Sequence, residues 1–216
     1  MTDSSDGKYM VPAGEAFEPG SRGRILKNKL GIIRVRDLEE KELELYMRTE
    51  YWMAQAFSDD QRITIADIDE LHRQFMGELF AWAGTHRIVN LSKGGFQFAA
   101  AHVLPALLQE FQETILDVCT PCHGTRQAVI DSIAKVHVEF ILLHPYREGN
   151  GRIARLLALL MSYQAGFPGL DFSFIGRRGK EFEGYIAAIH AGLDRKYHPM
   201  SEIILRGLRR AEAKNF

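Results

Sequence analysis

Two stretches of this chain are apolar on so many helical faces that the rest of the sequence must be arranged around them. In AVIDSIAKVHVEFILL (128–143), Ile130, Ile133, Ala134, Val136, Val138 and Phe140–Leu143 form a wide apolar stripe, the pattern of a central buried helix. RIARLLALLMSYQAG (152–166) is apolar on nearly every face and ends at Gly166, a helix stop. Between them stands a short polar loop, His144 to Gly151. Its composition is unlike a simple connector: one histidine, one proline, one acid and Gly149-Asn150-Gly151.

Helical spacing recurs on both sides. DLEEKELELYMRTEYWMAQAF, from Asp37, carries Leu38, Leu43, Tyr46, Tyr51, Met53 and Ala54, with Asp37 read as N-cap and Glu40 as its capping-box partner. TIADIDELHRQFMGELFAWAG (64–84) places Ile68, Leu71, Phe75, Leu79 and Trp82 on one side and stops at Gly84. Further helices are expected at about 101–118, 177–193 and 200–210, and a short one at 24–32 ending near Gly31. HRIVNLSKGGFQFAA (86–100) breaks the pattern. Ile88 and Val89 lie near a Ser92-Lys93-Gly94-Gly95 turn, and Phe96 and Phe98 alternate with Gln97, which predicts a small β-hairpin. A lone hairpin cannot make an independent sheet, so it must lie against something or serve something. The expected fold class is all-α: a bundle of about seven helices with one hairpin. An irregular, Gly- and Pro-rich arm (1–24) precedes a single domain over 25–216.

Bulk properties narrow the function classes. Across 216 residues, 46% are hydrophobic and 25% charged, which is ordinary for a globular chain. A net charge of −1 offers no basic field for nucleic acid, and the basic residues Arg206, Arg209 and Arg210 suit a helix end. No apolar run approaches the ~20 residues of a membrane helix, and the N-terminus lacks a signal layout, so no membrane association and a cytoplasmic address are expected. Cys119-Thr120-Pro121-Cys122-His123 spells a haem-attachment and C-x-x-C redox pattern. Without export, a second ligand pair or a neighbouring βαβ pattern, it reads as a turn between two helices.

The loop itself has the parts of a phosphate site. The first N–H groups of a helix have no internal partner and, with the helix dipole, attract anions. Glycines allow close approach. Arg152 and Arg155 stand i, i+3 at the start of the following helix and suit a di- or triphosphate. Glu148 beside an anion makes sense if Mg²⁺ joins carboxylate to phosphate. His144 is then placed to act as a general base on an incoming hydroxyl.

HPYREGNGRIAR (144–155) resembles the signature of the Fic (filamentation induced by cAMP) family, HPFx(D/E)GNGRxxR, with Tyr146 in place of the usual phenylalanine. LKNKLGI, HRQFMGELFAWAGTHR, LSKGGFQFA and AGFPGLDFS extend the resemblance over most of residues 24–200. The resemblance implies a Fic fold and transfer of AMP from ATP to a Ser, Thr or Tyr hydroxyl of a target protein. By that analogy His144 is the base and Glu148 holds Mg²⁺. Gly149, Asn150 and Gly151 line the anion hole, with Asn150 touching the α-phosphate, Arg152 the β-phosphate and Arg155 the γ-phosphate. Leu91, Ser92, Lys93, Gly94, Gly95 and Phe96 form a flap that pairs with the target backbone. Tyr185 and Ile189 border the adenine. A lysine at the place of Gly151 marks the phosphorylating Doc-type branch, which this chain does not match. The family's inhibitory motif, (S/T)xxxE(G/N), has no match, because no Ser or Thr is followed four positions on by Glu. A separate small inhibitory protein, as in toxin–antitoxin pairs, is therefore expected as a partner, the alternative being an uninhibited or degenerate enzyme. The competing readings are a nucleotide-binding interaction module without catalysis and a Fic variant that transfers another phosphate-containing group.

Overall fold

The computed structural model describes residues 17–214. In chain order it contains α1 (Val35–Ala56), α2 (Ile65–Met76), the strands β1 (Ser92–Lys93) and β2 (Phe96–Gln97), α3 (Leu104–Phe111), α4 (Asp117–Cys119), α5 (Arg126–Leu143), α6 (Asn150–Gln164), α7 (Lys180–Ala191) and α8 (His198–Glu212). A π-helical turn, Gln112–Leu116, joins α3 to α4 in one continuous rod, so seven helical rods and one hairpin make up the described fold. No described helix is long and apolar enough to cross a membrane.

The two apolar stretches are the centre. α5 packs chiefly on α6 and α8, while α1 lies on α2 and α6. α5 starts where the Thr125 hydroxyl accepts the Ala128 N–H at 3.3 Å. It buries Ile130, Ile133, Ala134, Val138 and Phe140, and in α6 Leu156, Leu157 and Met161 are fully enclosed. Truncating one of those leucines to alanine costs ~2–5 kcal/mol by lost transfer energy and the cavity left behind. The α5–α6 pair is thus the rigid frame from which the intervening loop hangs.

Several local expectations change. No helix forms at 24–32. The Asn28 side chain instead accepts the N–H groups of Leu30 and Ile32, at 3.2 and 2.9 Å, and donates to the Ile32 carbonyl at 3.0 Å. It thereby replaces helix bonds with turn bonds. Asp37 does not cap α1. The helix begins at Val35 without a side-chain cap, and the Asp37 carboxylate pairs with Arg34 at 2.6 Å. The buried stripe of α1 runs through Leu45, Thr49 and Met53, while Leu43 and Tyr51 are exposed. α2 does open on a capping box, Thr64 with Asp67, but stops at Gly77 rather than Gly84. The Gly84 N–H donates to His72 Nδ1 at 2.8 Å, so the chain turns back on the helix it has just left. Ile88 and Val89 lie outside the strands, and Ile88 is 85% exposed.

The hairpin pairs Ser92 with Gln97 and Lys93 with Phe96, around Gly94 and Gly95 at φ +55° and +80°. Positive φ at both central positions is the twist-matched hairpin turn that favours Gly-Gly. Cys119 and Cys122 are free and buried at the α4–α5 turn, and burial pushes the Cys122 thiol up to about 12. The Phe17–Leu26 bridge and the Lys29 N–H to Leu79 carbonyl bond, 2.8 Å, hold the described part of the expected N-terminal arm near α2; residues 1–16 of that arm lie outside the described residues.

Candidate active site

α5 ends because His144 adopts the left-handed conformation, φ 52° and ψ 57°, with its N–H bonded to the Phe140 carbonyl at 3.1 Å. A non-glycine residue there costs ~1–2 kcal/mol, so its surroundings must hold it. Three contacts do. His144 Nδ1 donates to the Ile141 carbonyl at 3.2 Å. The ring stacks on Phe98, centroids 3.7 Å apart at 16°. The His144 carbonyl accepts from Arg87 Nε at 2.7 Å. Because a carbonyl can only accept, Nδ1 carries the proton and Nε2 keeps its lone pair. Burial lowers the imidazole pKa to about 4, so the ring is a neutral base at ordinary pH.

The next turn is anchored by Tyr146, expected as a mild exchange for phenylalanine. Its ring is 1% exposed and lies on His72 at 3.8 Å, and its hydroxyl donates to Asp69 at 2.6 Å. Phenylalanine could make the stack but not that bond. Asn150 then staples the loop from the far side. Its Oδ1 accepts the Tyr146 N–H at 2.9 Å, and its Nδ2 donates to the Tyr146 carbonyl at 2.6 Å. The Asn150 side chain is therefore committed inside the loop, and what Asn150 offers outward is its backbone N–H. Arg147 lies over Trp82 at 5.6 Å.

Gly149 is the N-cap of α6 at φ +85°. A Cβ there would stand 3.0 Å from Met76 Cε and 3.4 Å from His72 Nε2. The Gly149 carbonyl accepts from the N–H groups of Arg152 and Ile153, both at 2.9 Å, so those of Asn150 and Gly151 precede the first helical bond. Gly151 is exposed, and a Cβ there would meet nothing within 4 Å. The fold has no need of glycine at 151; open space at a helix N-terminus does.

The structure splits the two arginines. Arg152 pairs with Glu42 of α1 at 2.5 Å and Glu148 at 3.5 Å, with Phe75 beneath its guanidinium at 5.0 Å. Glu148 also accepts the Gly149 N–H at 3.0 Å. Its carboxylate thus sits at the mouth of the α6 N-terminus, where one carboxylate plus phosphate oxygens and waters would suit Mg²⁺. Arg155 points elsewhere, 5.8 Å from the Phe172 ring and 6.0 Å from Tyr185, with its Nε buried and without a hydrogen-bond partner among the described residues.

Tyr185 and Ile189 of α7 are each 5% exposed. The Tyr185 hydroxyl donates to His137 Nε2 at 2.9 Å, and His137 Nδ1 donates to the Ala154 carbonyl at 3.0 Å. The Tyr185 hydroxyl is thus turned inward, and its ring lies beside Arg155. In the hairpin, Leu91 is buried, Gly94 and Gly95 form the tip, and Ser92 and Lys93 lie on β1. Phe96 stacks on His190 at 4.8 Å and meets Phe98 edge-on at 5.3 Å. The hairpin therefore covers one face of the His144 ring.

Four residues in this constellation escaped the sequence reading: Glu42, Arg87, Phe98 as a stacking partner, and His137. Glu42 carries a usable signal, since it interrupts the inward stripe Leu38–Glu42–Leu45–Thr49 with an acid. Phe98 is signalled by its alternation with Phe96. Arg87 and His137 carry none. A surface groove of about 510 Å³ between α7 and α8 is lined by Phe174, Glu181, Ile203 and Arg206. It lies apart from the loop and its lining holds no histidine, so side-chain chemistry rather than cavity size locates the site.

The Fic/DOC family model matches residues 62–162. A probable protein adenylyltransferase, y4lH of Sinorhizobium fredii, is 26% identical over 187 residues, covering 82% of this chain and 92% of that protein. Protein adenylyltransferase fic-1 of Caenorhabditis elegans is 32% identical over 111 residues, but the chain spans only 21% of its length. The crystal structure of BepC from Bartonella tribocorum, a VirB-translocated effector with bound AMPPNP, superposes with a TM-score of 0.66 at 21% identity, over 84% of this chain and 91% of that one.

Proposed function

This chain carries a domain of the Fic/DOC family, and from that premise we propose that it is a protein adenylyltransferase, with 25–216 as a single Fic domain. It transfers AMP from ATP to a Ser, Thr or Tyr hydroxyl of a target protein and releases pyrophosphate. The observation that carries the reading is the juxtaposition at 144–151. A neutral histidine with Nε2 unprotonated ends one rigid helix, and an open helix N-terminus with room at Gly151 begins the next.

In this mechanism His144 Nε2 takes the proton of the target hydroxyl as its oxygen attacks the α-phosphorus, and the α–β bridging oxygen leaves with pyrophosphate. The N–H groups of Asn150 and Gly151 face the developing negative charge. Arg152 exchanges one of its two carboxylate partners for phosphate, and Arg155, with Nε unpaired, orients the distal phosphate. Glu148 would hold Mg²⁺, which supplies charge neutralisation on the phosphates. The flap 91–96 adds the target as an extended strand along an edge of the hairpin. The domain acts in the cytoplasm, and a small protein presenting a glutamate to Arg155 inhibits it. The unpaired Nε of Arg155 supports that last point.

The test is labelling with [α-³²P]ATP against [γ-³²P]ATP in Mg²⁺, wild type against His144→Ala. Label is expected from the α-position alone, reduced by about 10²–10⁴-fold in the variant, the range for loss of a general base. Equal labelling by both proteins rejects the catalytic role of His144. Label from the γ-position points to phosphorylation, and tight ATP binding without label points to a binding module.

A further inference from the structure

Arg87 is 3% exposed, and its guanidinium pairs with no carboxylate among the described residues. Its side chain makes four hydrogen bonds, all to backbone carbonyls. Nε donates to His144 at 2.7 Å and Nη1 to Val89 at 2.7 Å. Nη2 donates to Ala99 at 2.5 Å and to Leu143 at 3.3 Å. Its own N–H bonds the Pro145 carbonyl at 2.8 Å.

The partners fall into two groups. Leu143 and His144 belong to the carbonyl end of α5, where the last C=O groups have no helical partner and the dipole is negative, so a cation is favoured there. Val89 and Ala99 flank the hairpin, one before Leu91 and one after Phe98. A single rigid group therefore closes the base of the flap and joins it to the turn that carries His144. The planar fork with five donors can reach four diverging carbonyls; the single ammonium of a lysine cannot.

We propose that Arg87 is a positioning residue that fastens both ends of the flap to the carbonyl end of α5, fixing the distance between a flap-bound target and His144. This rests on the adenylyltransferase reading for its consequence, though the fastening itself does not. Arg87 touches no reacting atom; it acts through the left-handed turn at His144 and through the Phe98–His144 stack that the closed flap delivers.

The experiment compares the wild-type chain with Arg87→Lys and Arg87→Gln. Hydrogen exchange should speed up by about tenfold to a hundredfold at 88–99 and 143–146, as expected for lost bonds to a charged donor, and stay within about twofold in α6 and α8. Mg²⁺–AMPPNP affinity should stay within about twofold. Labelling of a Ser/Thr/Tyr peptide array from [α-³²P]ATP should fall by about tenfold or more. Lysine should not rescue it. Unchanged exchange in the flap, an increase spread evenly over the chain, or AMPPNP affinity falling in step with labelling overturns the proposal. If neither variant folds, ¹⁵N spectra of the wild type decide. A fork held by four carbonyls gives resolved Arg87 Nη signals through slowed Cζ–Nη rotation, and one averaged signal sinks the idea. An array left unlabelled by the wild type rejects the adenylyltransferase reading, while the exchange comparison still decides the fastening.

Discussion

Mild acid should destabilise this protein well before its carboxylates titrate. His72 and His137 are 0% and 1% exposed, and both have pKa values lowered to about 4, first of all by burial. Their hydrogen bonds accept only the neutral form. His72 Nδ1 receives the Gly84 N–H at 2.8 Å, leaving Nε2 to donate to the Glu148 carbonyl at 3.1 Å. A second proton on His72 would set two donors against each other at Gly84. In the unfolded chain both rings titrate near ~6.5. The unfolded state therefore binds more protons between pH ~6.5 and about 4, and stability is lost as pH falls through that window. At pH 5 each ring contributes a loss of about 2 kcal/mol, or about 4 kcal/mol for the pair, against a typical total of ~5–15 kcal/mol. The half-buried His144 shifts in the same direction. Glu78, Asp171 and Glu212, whose pKa values are depressed by their cationic and hydrogen-bonding partners, begin to lose their contribution only in the ordinary carboxylate range, at the acid end of this window. Urea unfolding at pH 7.5 and pH 5.0 measures the difference. His137→Phe should be less stable at pH 7.5, yet its drop to pH 5.0 should be smaller by about 2 kcal/mol. A wild-type change under ~1 kcal/mol, or the same drop in the variant, would refute the reasoning.

Substitutions separate fold from site. Gly149→Ala should cost about 1–3 kcal/mol in urea unfolding, from the left-handed backbone and the 3.0 Å approach to Met76; a change below ~0.5 kcal/mol would contradict the geometry. Gly151→Ala meets empty space, so its stability should be equal or higher by about 0.5 kcal/mol, while AMP transfer falls about tenfold or more; undiminished transfer argues against the cradle. Tyr185→Phe leaves the ring nitrogen of His137 unpaired in the core and should cost about 1–3 kcal/mol, read as a melting temperature lower by ~2–12 °C. A double-mutant cycle with His137→Phe should return a coupling of at least ~0.5 kcal/mol, and strict additivity would break the pairing.

What was legible at the outset was what local rules carry. Helical period marked α5 and α6, the Gly-Gly turn marked the hairpin, and the spacing of His144, Glu148, Gly149–Gly151, Arg152 and Arg155 singled out the loop between α5 and α6. The misreadings were also local. Asp37 has the composition of a cap but is taken by Arg34, and Gly84 has the look of a helix stop but serves a return turn bonded to His72. Leu43 fits a three-four spacing that the true stripe, Leu45–Thr49–Met53, does not use.

By itself the sequence determined the chemistry available: a base, an acid, a glycine loop and two arginines between two obligatorily buried helices. Only the tertiary structure decided how those groups are held. Asn150 turns inward because the Tyr146 backbone lies within its reach, and Arg152 meets Glu42 because α1 packs on α6. Arg87 finds four carbonyls that lie 2, 12, 56 and 57 residues away along the chain. Periodicity and propensity report each residue's neighbours within a few positions. Hydrogen bonds across such separations exist only once packing has closed the intervening chain, so no local pattern announces them.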